Sequence, residues 1–523
     1  MRSKILLALA LSIPVLLFFT AYFFNHSPEL LPTGFIQYDN VSYLAYARQY
    51  LDAAEFHFQY SNPFNESGQY QPIYFQTQTL FFALLLKLGV PAVTILPLFT
   101  IISAFVCFLL IINIYDFLVP DKKNRTINLI LFSWGGGLLV LAGMVYHYLY
   151  HPGTPLSNDL FTIDPEGGWW GLNLGRSLLF SCEAYYHALF LGAIYFILKR
   201  KWIISLALLF LLSISHPFTG IELAMIICTW CFIEFRFNRR NIPLWFIIGA
   251  VMVTIFHIWY YLDYLEQFPD HRSVSQQYAL TWGLRFYRMI PAYAIVGTLA
   301  IASIWKASLR NFFMISSNRL WLSWFIVAFL LANHEVLISP KQPIHFTRGY
   351  IWTSLFLLGL PALQRLTNYL NLNKRRLLLS GFVLIFMLDN SLWIYFKSSA
   401  KAAHASTAYI TREQKEVFNV VDRESSDQSL IMSTNPNLAY LSTVYSKAYP
   451  LYSHPYTTPF ADKKKKITEE LFENALLDSS ISDREILFII EKKDTSALKS
   501  VSLITATRIF ESRNYMIYKS VNP

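Results

Sequence analysis

Long apolar segments alternate with short polar ones through the first three quarters of the chain. A membrane-spanning helix needs roughly 20 mostly apolar residues, and shorter helices occur inside bundles. The segments that fit this pattern are 5–24, 74–88, 92–116, 127–149, 177–197, 202–215, 217–235, 242–262, 286–305, 319–337, 350–366 and 377–396. The pattern predicts an α-helical polytopic membrane domain over residues 1–396, with about 11–13 transmembrane helices.

The last quarter of the chain has a different pattern. Residues 411–422 have helical spacing, 429–434 and 485–493 are short apolar runs typical of buried strands, and Lys463 begins a further helix that ends near Leu477. Residues 507–520 alternate around a polar turn and predict a hairpin. This mixture predicts a small soluble α/β domain over residues 397–523.

Composition agrees with a membrane protein. Of the 523 residues, 54% are hydrophobic and only 15% are charged, whereas soluble domains carry about 25% charge. The net charge of +10 comes from short basic clusters between apolar segments, which is typical of cytoplasmic loops and does not indicate nucleic-acid binding. Disorder and a disulfide scaffold are excluded by the same composition.

The distribution of charge predicts which loops lie outside the cell. Basic clusters such as Lys199 to Lys201 mark the cytoplasmic side. Acidic residues collect in the loops 25–74 and 151–176. We therefore expect a multi-pass protein of the inner (cytoplasmic) membrane, with these loops, the loop 339–350 and the C-terminal domain on the outer face. Long loops in compact proteins are usually functional.

The first outer loop contains a candidate catalytic acid, Asp39. The pair Asp39 and Asn40 precedes a segment with apolar residues at helical spacing, among them Leu44 and Ala47. Such a pair can cap a helix by accepting hydrogen bonds from free backbone N–H groups. The pattern predicts an amphipathic helix at the membrane surface, and it leaves open whether Asp39 is only a cap or also a functional carboxylate.

The third outer loop supplies candidate cations for a phosphate group: Lys341, His345 and Arg348. Arginine binds phosphate through two parallel hydrogen bonds, and lysine acts as a point charge. The alternative is that Lys341 and Arg348 contact lipid headgroups at the end of a helix.

The second outer loop supplies carboxylates at Asp159, Asp164 and Glu166. One of them could complete a site for a divalent cation with Asp39, because Mg²⁺ and Mn²⁺ prefer carboxylate oxygens. Each acid taken alone is also typical of a solvated loop.

Polar residues inside the apolar segments are further candidates. Pro217 suits the first turn of a helix, so we expect the chain to break there and His216 to line a cavity. Glu222 is an acid within a predicted span, which indicates either a functional group or a buried structural pair. Glu183 and His187, four residues apart, favour a hydrogen-bonded pair over a metal site.

A resemblance adds a function to these candidates. After the first helix, the run Asp39, Tyr43, Leu44, Ala47 and Arg48 resembles the outer loop of the GT-C superfamily of integral-membrane glycosyltransferases. The resemblance implies inverting transfer of a hexose or pentose from a polyprenyl-phosphate donor to a glycan, lipid or protein acceptor. It assigns Asp39 as general base or as ligand of a divalent cation, and it places Tyr43 and Arg48 near the cavity. Where many members have a second acid, this chain has Asn40.

Two other classes compete with a glycosyltransferase of cell-envelope glycan biosynthesis. One is a transporter or flippase for lipid-linked glycans, which the absence of a visible internal repeat disfavours. The other is a non-catalytic membrane scaffold with an outside sensor domain, for which Asp39 would have no chemical role.

Overall fold

The computed structural model describes residues 2–52, 58–65, 72–237, 242–371, 375–399, 404–504 and 506–520. The chain forms two compact units. The first comprises Met1–Asn25, Leu98–Tyr260 and Ala279–Ala402, and the second comprises His26–Pro97, Tyr261–Tyr278 and Ala403–Pro523. The second unit thus joins the C-terminal residues to the loop 25–74. The predicted division into a membrane part before residue 397 and a soluble part after it stays a prediction.

Helices make up most of the described chain. In the first half they are α1 (Arg2–Leu11), α2 (Ile13–Phe24), α3 (Asn40–Asp52), α4 (Thr77–Lys87), α5 (Ala92–Leu118), α6 (Arg125–Trp134), α7 (Leu139–Tyr150), α8 (Leu174–Ser177), α9 (Ser181–Leu198), α10 (Trp202–Ser215), α11 (Pro217–Phe237) and α12 (Leu244–Trp259). In the second half they are α13 (Pro269–Gln277), α14 (Phe286–Ala307), α15 (Leu309–Met314), α16 (Ser316–Leu331), α17 (Tyr350–Leu370), α18 (Arg376–Lys397), α19 (Arg412–Glu424), α20 (Pro436–Tyr445), α21 (Ala461–Asn474) and α22 (Thr495–Ser502). Every predicted apolar segment contains a described helix.

Several of these helices can cross a membrane. Among the described residues, six helical segments are long and apolar enough to cross a membrane. Five of them are α5, α9, α11, α14 and α18, and the sixth is the segment Leu244–Gln267, which begins with α12. The pairs α1 with α2 and α6 with α7 are bent by 43° and 57°, and counting each pair as one span gives up to eight. Other predicted spans form shorter helices, such as α4, α10 and α16, so the predicted total of about 11–13 stays a prediction.

The bend between α6 and α7 has a clear local cause. Gly135, Gly136 and Gly137 separate the two helices. The start of α7 is capped from another helix, because the carboxylate of Asp389 in α18 accepts hydrogen bonds from the backbone N–H groups of Gly137, Leu139 and Val140 at 2.9–3.1 Å. A fully buried carboxylate thus satisfies donors that a helix N-terminus leaves free.

The C-terminal residues of the second unit form the predicted small α/β fold. Its strands are β2 (Tyr409–Thr411), β3 (Leu430–Ser433), β4 (Tyr449–Pro450), β5 (Ile486–Glu491), β6 (Ala506–Glu511) and β7 (Tyr515–Ser520), and β1 (Leu30–Pro32) lies in the first outer loop. One sheet has the order β4-β3-β5-β7-β6, with β3 parallel to β4 and β5 and with β6 and β7 as an antiparallel hairpin. The predicted strands, hairpin and helices α19 and α21 are confirmed.

A two-stranded ribbon joins the loop 25–74 to the C-terminal residues. Strand β1 pairs antiparallel with β2, with Leu30 opposite Thr411. Thr411 also begins α19: its hydroxyl accepts from the backbone N–H of Gln414 at 3.1 Å, and the Gln414 side chain accepts from the backbone N–H of Thr411 at 2.8 Å. This reciprocal capping box fixes the start of α19 beside the ribbon.

We expect Thr411→Ala to destabilise the protein by about 0.5–2 kcal/mol, because it removes the capping hydroxyl. Thermal unfolding of the detergent-solubilised protein measures the effect. Thr411→Ser keeps a hydroxyl at the same position and is the matched control. Equal melting temperatures for the Ala and Ser variants would contradict a role of the cap in stability.

Candidate functional site

Asp39 lies immediately before α3 and presents its carboxylate to solvent. The side chain is 73% exposed, and its Oδ1 atom lies 3.2 Å from Nε2 of His454, a residue that is 2% exposed. His454 follows strand β4 in the loop before α21. The predicted helix after Asp39 is confirmed, but its apolar side, including Leu44 and Ala47, is buried within the second unit, where α3 packs against α4 and α20.

Aromatic rings surround the Asp39 and His454 pair. The ring of Tyr38 stacks on His454, with centroids 5.1 Å apart, and lies 5.0 Å from the ring of Tyr440. The Tyr440 hydroxyl lies 2.6 Å from the hydroxyl of Ser42 in the first turn of α3. Burial raises the pKa of Tyr38 to about 12 and raises the pKa of Tyr440 well above its ordinary value. These phenols therefore stay neutral at physiological pH.

The two other residues of the GT-C-like run lie on α3. Arg48 donates from Nη1 to the carbonyl oxygen of Val444 at 2.8 Å, so it ties α3 to the last turn of α20. Tyr43 is half-buried. Their predicted position beside a substrate cavity stays a prediction.

Arg348 in the third loop is held by two kinds of contact. Its guanidinium forms an ion pair with Glu183 of α9, and its Cζ atom lies 3.9 Å from the ring centroid of Trp170. Its Nε atom, which is buried, has no hydrogen-bond partner in the described part of the chain. The expected hydrogen bond between Glu183 and His187 is not formed, because Glu183 pairs with Arg348 while the His187 ring stacks on Tyr350.

The other two predicted phosphate ligands differ in charge and exposure. Lys341 has an exposed side chain. The His345 ring stacks on Phe218 with centroids 4.3 Å apart, and its Nε2 donates to the amide oxygen of Gln342 at 2.5 Å. Burial and the neighbouring Arg348 lower the pKa of His345 well below its usual range. His345 is therefore a neutral group, and the positive charges of this loop are Lys341 and Arg348.

The acids of the second loop are engaged in separate contacts. Asp159 accepts hydrogen bonds from Nδ1 of His147 at 2.9 Å and of His151 at 3.1 Å, and the first of these lowers its pKa. Asp164 forms a fully buried ion pair with Arg176, although burial still raises the pKa of this carboxyl. Glu166 is exposed and has a positive φ of 52° in a turn.

The break predicted at His216 and Pro217 is confirmed, since α10 ends at Ser215 and α11 begins at Pro217. His216 caps α11, because its Nδ1 accepts from the backbone N–H of Thr219 at 3.1 Å. Its ring centroid lies 6.4 Å from that of His345, so two of the predicted residues are neighbours. Glu222 is fully buried in α11, and neither carboxylate oxygen has a hydrogen-bond partner in the described ranges.

A divalent-cation site formed by these acids stays a prediction. Within the described residues, no group of three or more His, Cys, Asp or Glu side chains is placed to hold a metal ion. Oδ2 of Asp159 accepts from His147 and His151, and Oδ2 of Asp164 pairs with Arg176. The expected Mg²⁺ or Mn²⁺ site therefore has no ligand set that we can assign, and no chemical step below uses a metal.

Comparison with known proteins identifies the architecture. No protein-family model and no curated protein sequence matches the chain. Among solved structures, ArnT from Cupriavidus metallidurans bound to undecaprenyl phosphate is similar over 99% of this chain and 98% of its own, with 10% sequence identity and a TM-score of 0.53. This chain has the GT-C fold.

Two further structures are similar over nearly the whole chain. ArnT in the apo state matches with 11% identity, 100% and 98% coverage and a TM-score of 0.50. The archaeal oligosaccharyltransferase AglB from Archaeoglobus fulgidus, in complex with an inhibitory peptide and a dolichol-phosphate, matches with 10% identity, 99% and 74% coverage and a TM-score of 0.48. The predicted fold class, a helical polytopic membrane protein of GT-C type with a small C-terminal α/β part, is confirmed.

Sequence reasoning did not predict the residues that contact Asp39 and Arg348. His454 lies in a segment whose apolar and polar pattern gives no sign of Asp39. Glu183 was a candidate, but its partner Arg348 is 165 residues away. Trp170, which lies beneath the Arg348 guanidinium, donates its indole N–H to the carbonyl oxygen of Ile344 at 3.1 Å. A hydropathy pattern contains no information about such distant pairs.

Proposed function

We propose that this protein is an inverting glycosyltransferase that transfers a hexose or pentose from a polyprenyl-phosphate donor to a glycan, lipid or protein acceptor at the outer membrane face. The observation that carries the proposal is Asp39. It is an exposed carboxylate where the GT-C resemblance expects the catalytic acid, in a chain with the GT-C fold over nearly its whole length. The complex of ArnT with undecaprenyl phosphate supports the class of donor.

Asp39 acts as the general base. Its carboxylate takes the proton of an acceptor hydroxyl as the acceptor oxygen attacks the anomeric carbon of the sugar. The bond between the anomeric carbon and the phosphate oxygen breaks, and its electron pair leaves with the polyprenyl phosphate. One displacement of this kind inverts the configuration at the anomeric carbon. High exposure suits Asp39 for this role, because an acceptor must reach the carboxylate.

Arg348 and Lys341 bind the donor phosphate. The guanidinium of Arg348 is held by Glu183 and Trp170, and it retains a buried Nε–H donor. Donors fixed in advance stabilise charge that develops on a leaving group at little reorganisation cost. Lys341 adds an exposed ammonium, which suits a point-charge contact with phosphate. His345 stacks beside them as a neutral ring, and His216 lies next to it.

Purified protein incubated with labelled polyprenyl-phosphate hexoses and pentoses tests the proposal. We expect release of the sugar or its transfer to an added acceptor, with inversion at the anomeric carbon. A parallel reaction with a chelator tests the assignment of Asp39 as base, which requires activity to persist. The proposal fails if the protein binds these donors and neither releases nor transfers any sugar.

The same preparation separates the two other classes of function. A transporter or flippase would move a lipid-linked glycan across reconstituted vesicles without breaking the sugar–phosphate bond. A scaffold would do neither, and its Asp39 would tolerate substitution. Breakage of the bond to phosphate in detergent, where transport has no meaning, favours the glycosyltransferase.

A further inference from the structure

His454 is a partner of the Asp39 side chain, with its Nε2 atom 3.2 Å from Oδ1 of Asp39, and the backbone around His454 determines which ring nitrogen carries the proton. The Nδ1 atom of His454 accepts from the backbone N–H groups of Tyr456 at 3.0 Å and Thr457 at 3.2 Å. A ring nitrogen that accepts two N–H donors carries no proton of its own. The proton of the neutral imidazole is therefore on Nε2, which faces Asp39.

The surroundings also fix the tautomer and the orientation of this ring. A second proton would have to sit on Nδ1, where it would face the two backbone N–H groups. The ring is 2% exposed and lies between Tyr38 and Tyr440, with centroids 5.1 Å and 5.0 Å from its own. His454 can therefore donate to Asp39 but has no free nitrogen with which to accept a proton from it. This excludes a proton relay from Asp39 through His454.

We infer that His454 is a positioning residue that donates a hydrogen bond from Nε2 to the Asp39 carboxylate and holds it, ionised and oriented, for proton abstraction. The inference rests on the proposed function of Asp39 as general base. A hydrogen bond donated to a carboxylate favours its charged form. A carboxylate held in a fixed orientation loses less entropy when it reaches the geometry for proton abstraction. The C-terminal part of the second unit thereby contributes to the chemistry of the first outer loop.

Among the described residues, the titratable groups that interact electrostatically with Asp39 include four buried phenols. The phenols that lie close enough to interact electrostatically with Asp39 are Tyr38, Tyr46, Tyr278 and Tyr440, and burial raises the pKa of each. Tyr456 contacts His454 edge to face at 6.0 Å. A change in the acidic side of the rate–pH profile on substitution of His454 therefore reports on Asp39.

The test compares His454→Asn with His454→Gln in the full-length protein. The Asn side chain places an acceptor near the position of Nδ1, so it keeps the turn at Tyr456 and Thr457 but does not reach Asp39. The Gln side chain is long enough to donate to Asp39. We expect kcat of the Asn variant to fall about 10- to 100-fold, with the donor KM and the melting temperature close to those of the parent.

Two further readouts separate positioning from a purely structural role. The acidic limb of the rate–pH profile should move to higher pH in His454→Asn, because the ionised carboxylate loses a donor. His454→Gln should recover part of both losses. His404→Asn, a substitution of another histidine of the same unit, should leave rate and profile unchanged. Parent-like kcat and pH profile in His454→Asn would overturn the inference while leaving the proposed function intact.

The hydrogen bond itself is measured without enzymatic activity. In protein labelled with ¹⁵N-histidine, the resonances that disappear in His454→Asn belong to His454. They should show an unprotonated Nδ1 and a protonated Nε2, and Asp39→Ala should shift the Nε2 signal. A protonated Nδ1, or no shift on Asp39→Ala, overturns the inference. If the parent transfers no sugar but these signals are as expected, the proposed function fails and the hydrogen bond stands.

Discussion

Asp39→Asn should yield a folded protein whose transfer rate is lower by about 10²–10⁴, the usual contribution of a general base. The substitution removes the negative charge and almost nothing else. The Asn side-chain oxygen can still accept from Nε2 of His454, which lies 3.2 Å from the Asp39 carboxylate. Asn also caps a helix about as well as Asp. The rate of sugar release from a polyprenyl-phosphate donor, with the melting temperature alongside, measures the effect.

The control for this substitution is Asp483→Asn, which neutralises another exposed carboxylate of the same unit. We expect the Asp483→Asn variant to transfer sugar at the parent rate, because it shares with Asp39→Asn only the loss of one negative charge. An Asn variant of Asp39 that works at close to the parent rate would remove Asp39 from catalysis. Asp39 would then be only the residue before α3, and the GT-C fold would remain as the sole link to glycosyl transfer.

The sequence predicts most elements of this protein because the pattern of each of these is encoded locally. Strand β5 is a run of apolar residues that is buried from Ile486 to Ile490, and such a run needs no distant information to be recognised. The break before Pro217 is likewise local, since proline favours the first turn of a helix. The same holds for the hairpin of β6 and β7.

Long-range pairings account for what the sequence could not predict. Strand β1 is short, and only its pairing with β2, nearly 400 positions later, makes it a strand. The cap at the start of α7 comes from Asp389, about 250 positions away. Hydrophobic periodicity sets which face of an element is buried, but it does not state which element covers that face.

For the candidate site, too, the sequence indicates which residues are candidates but not which distant residues they contact. Asp39 could be selected from the sequence through the GT-C-like run that it begins, and Lys341, His345 and Arg348 because cations of a predicted outer loop can bind phosphate. The chemical state of each depends on its partners. His345 was selected as a cation, yet its burial and the nearby Arg348 keep it neutral. Asp164 was selected as a free acid, yet it is paired with Arg176.

Arg348 should be needed for binding the donor phosphate, and a double substitution tests this without unfolding the protein. Arg348→Gln alone would leave the Glu183 carboxylate buried without its partner, which typically costs about 3–5 kcal/mol in stability. Arg348→Gln combined with Glu183→Gln replaces the ion pair by two neutral amides. We expect this double variant to keep a melting temperature near that of the parent. Its transfer rate should fall by about 10²–10³, the effect of removing one fixed donor to developing charge.

The chain offers a matched control in a second buried ion pair of the same unit, because Arg319 of α16 pairs with Glu234 of α11 at 2.6 Å with both side chains almost fully buried. Arg319→Gln combined with Glu234→Gln makes the same chemical change outside the third loop, so we expect parent-like transfer. Binding of a fluorescent polyprenyl phosphate, measured beside the transfer rate, completes the comparison. If both double variants bind the lipid phosphate and transfer sugar as the parent does, Arg348 serves only to hold Glu183 in place. Loss of binding in the Arg348 pair alone assigns the phosphate to Arg348, because both variants have lost one arginine, one glutamate and one buried ion pair.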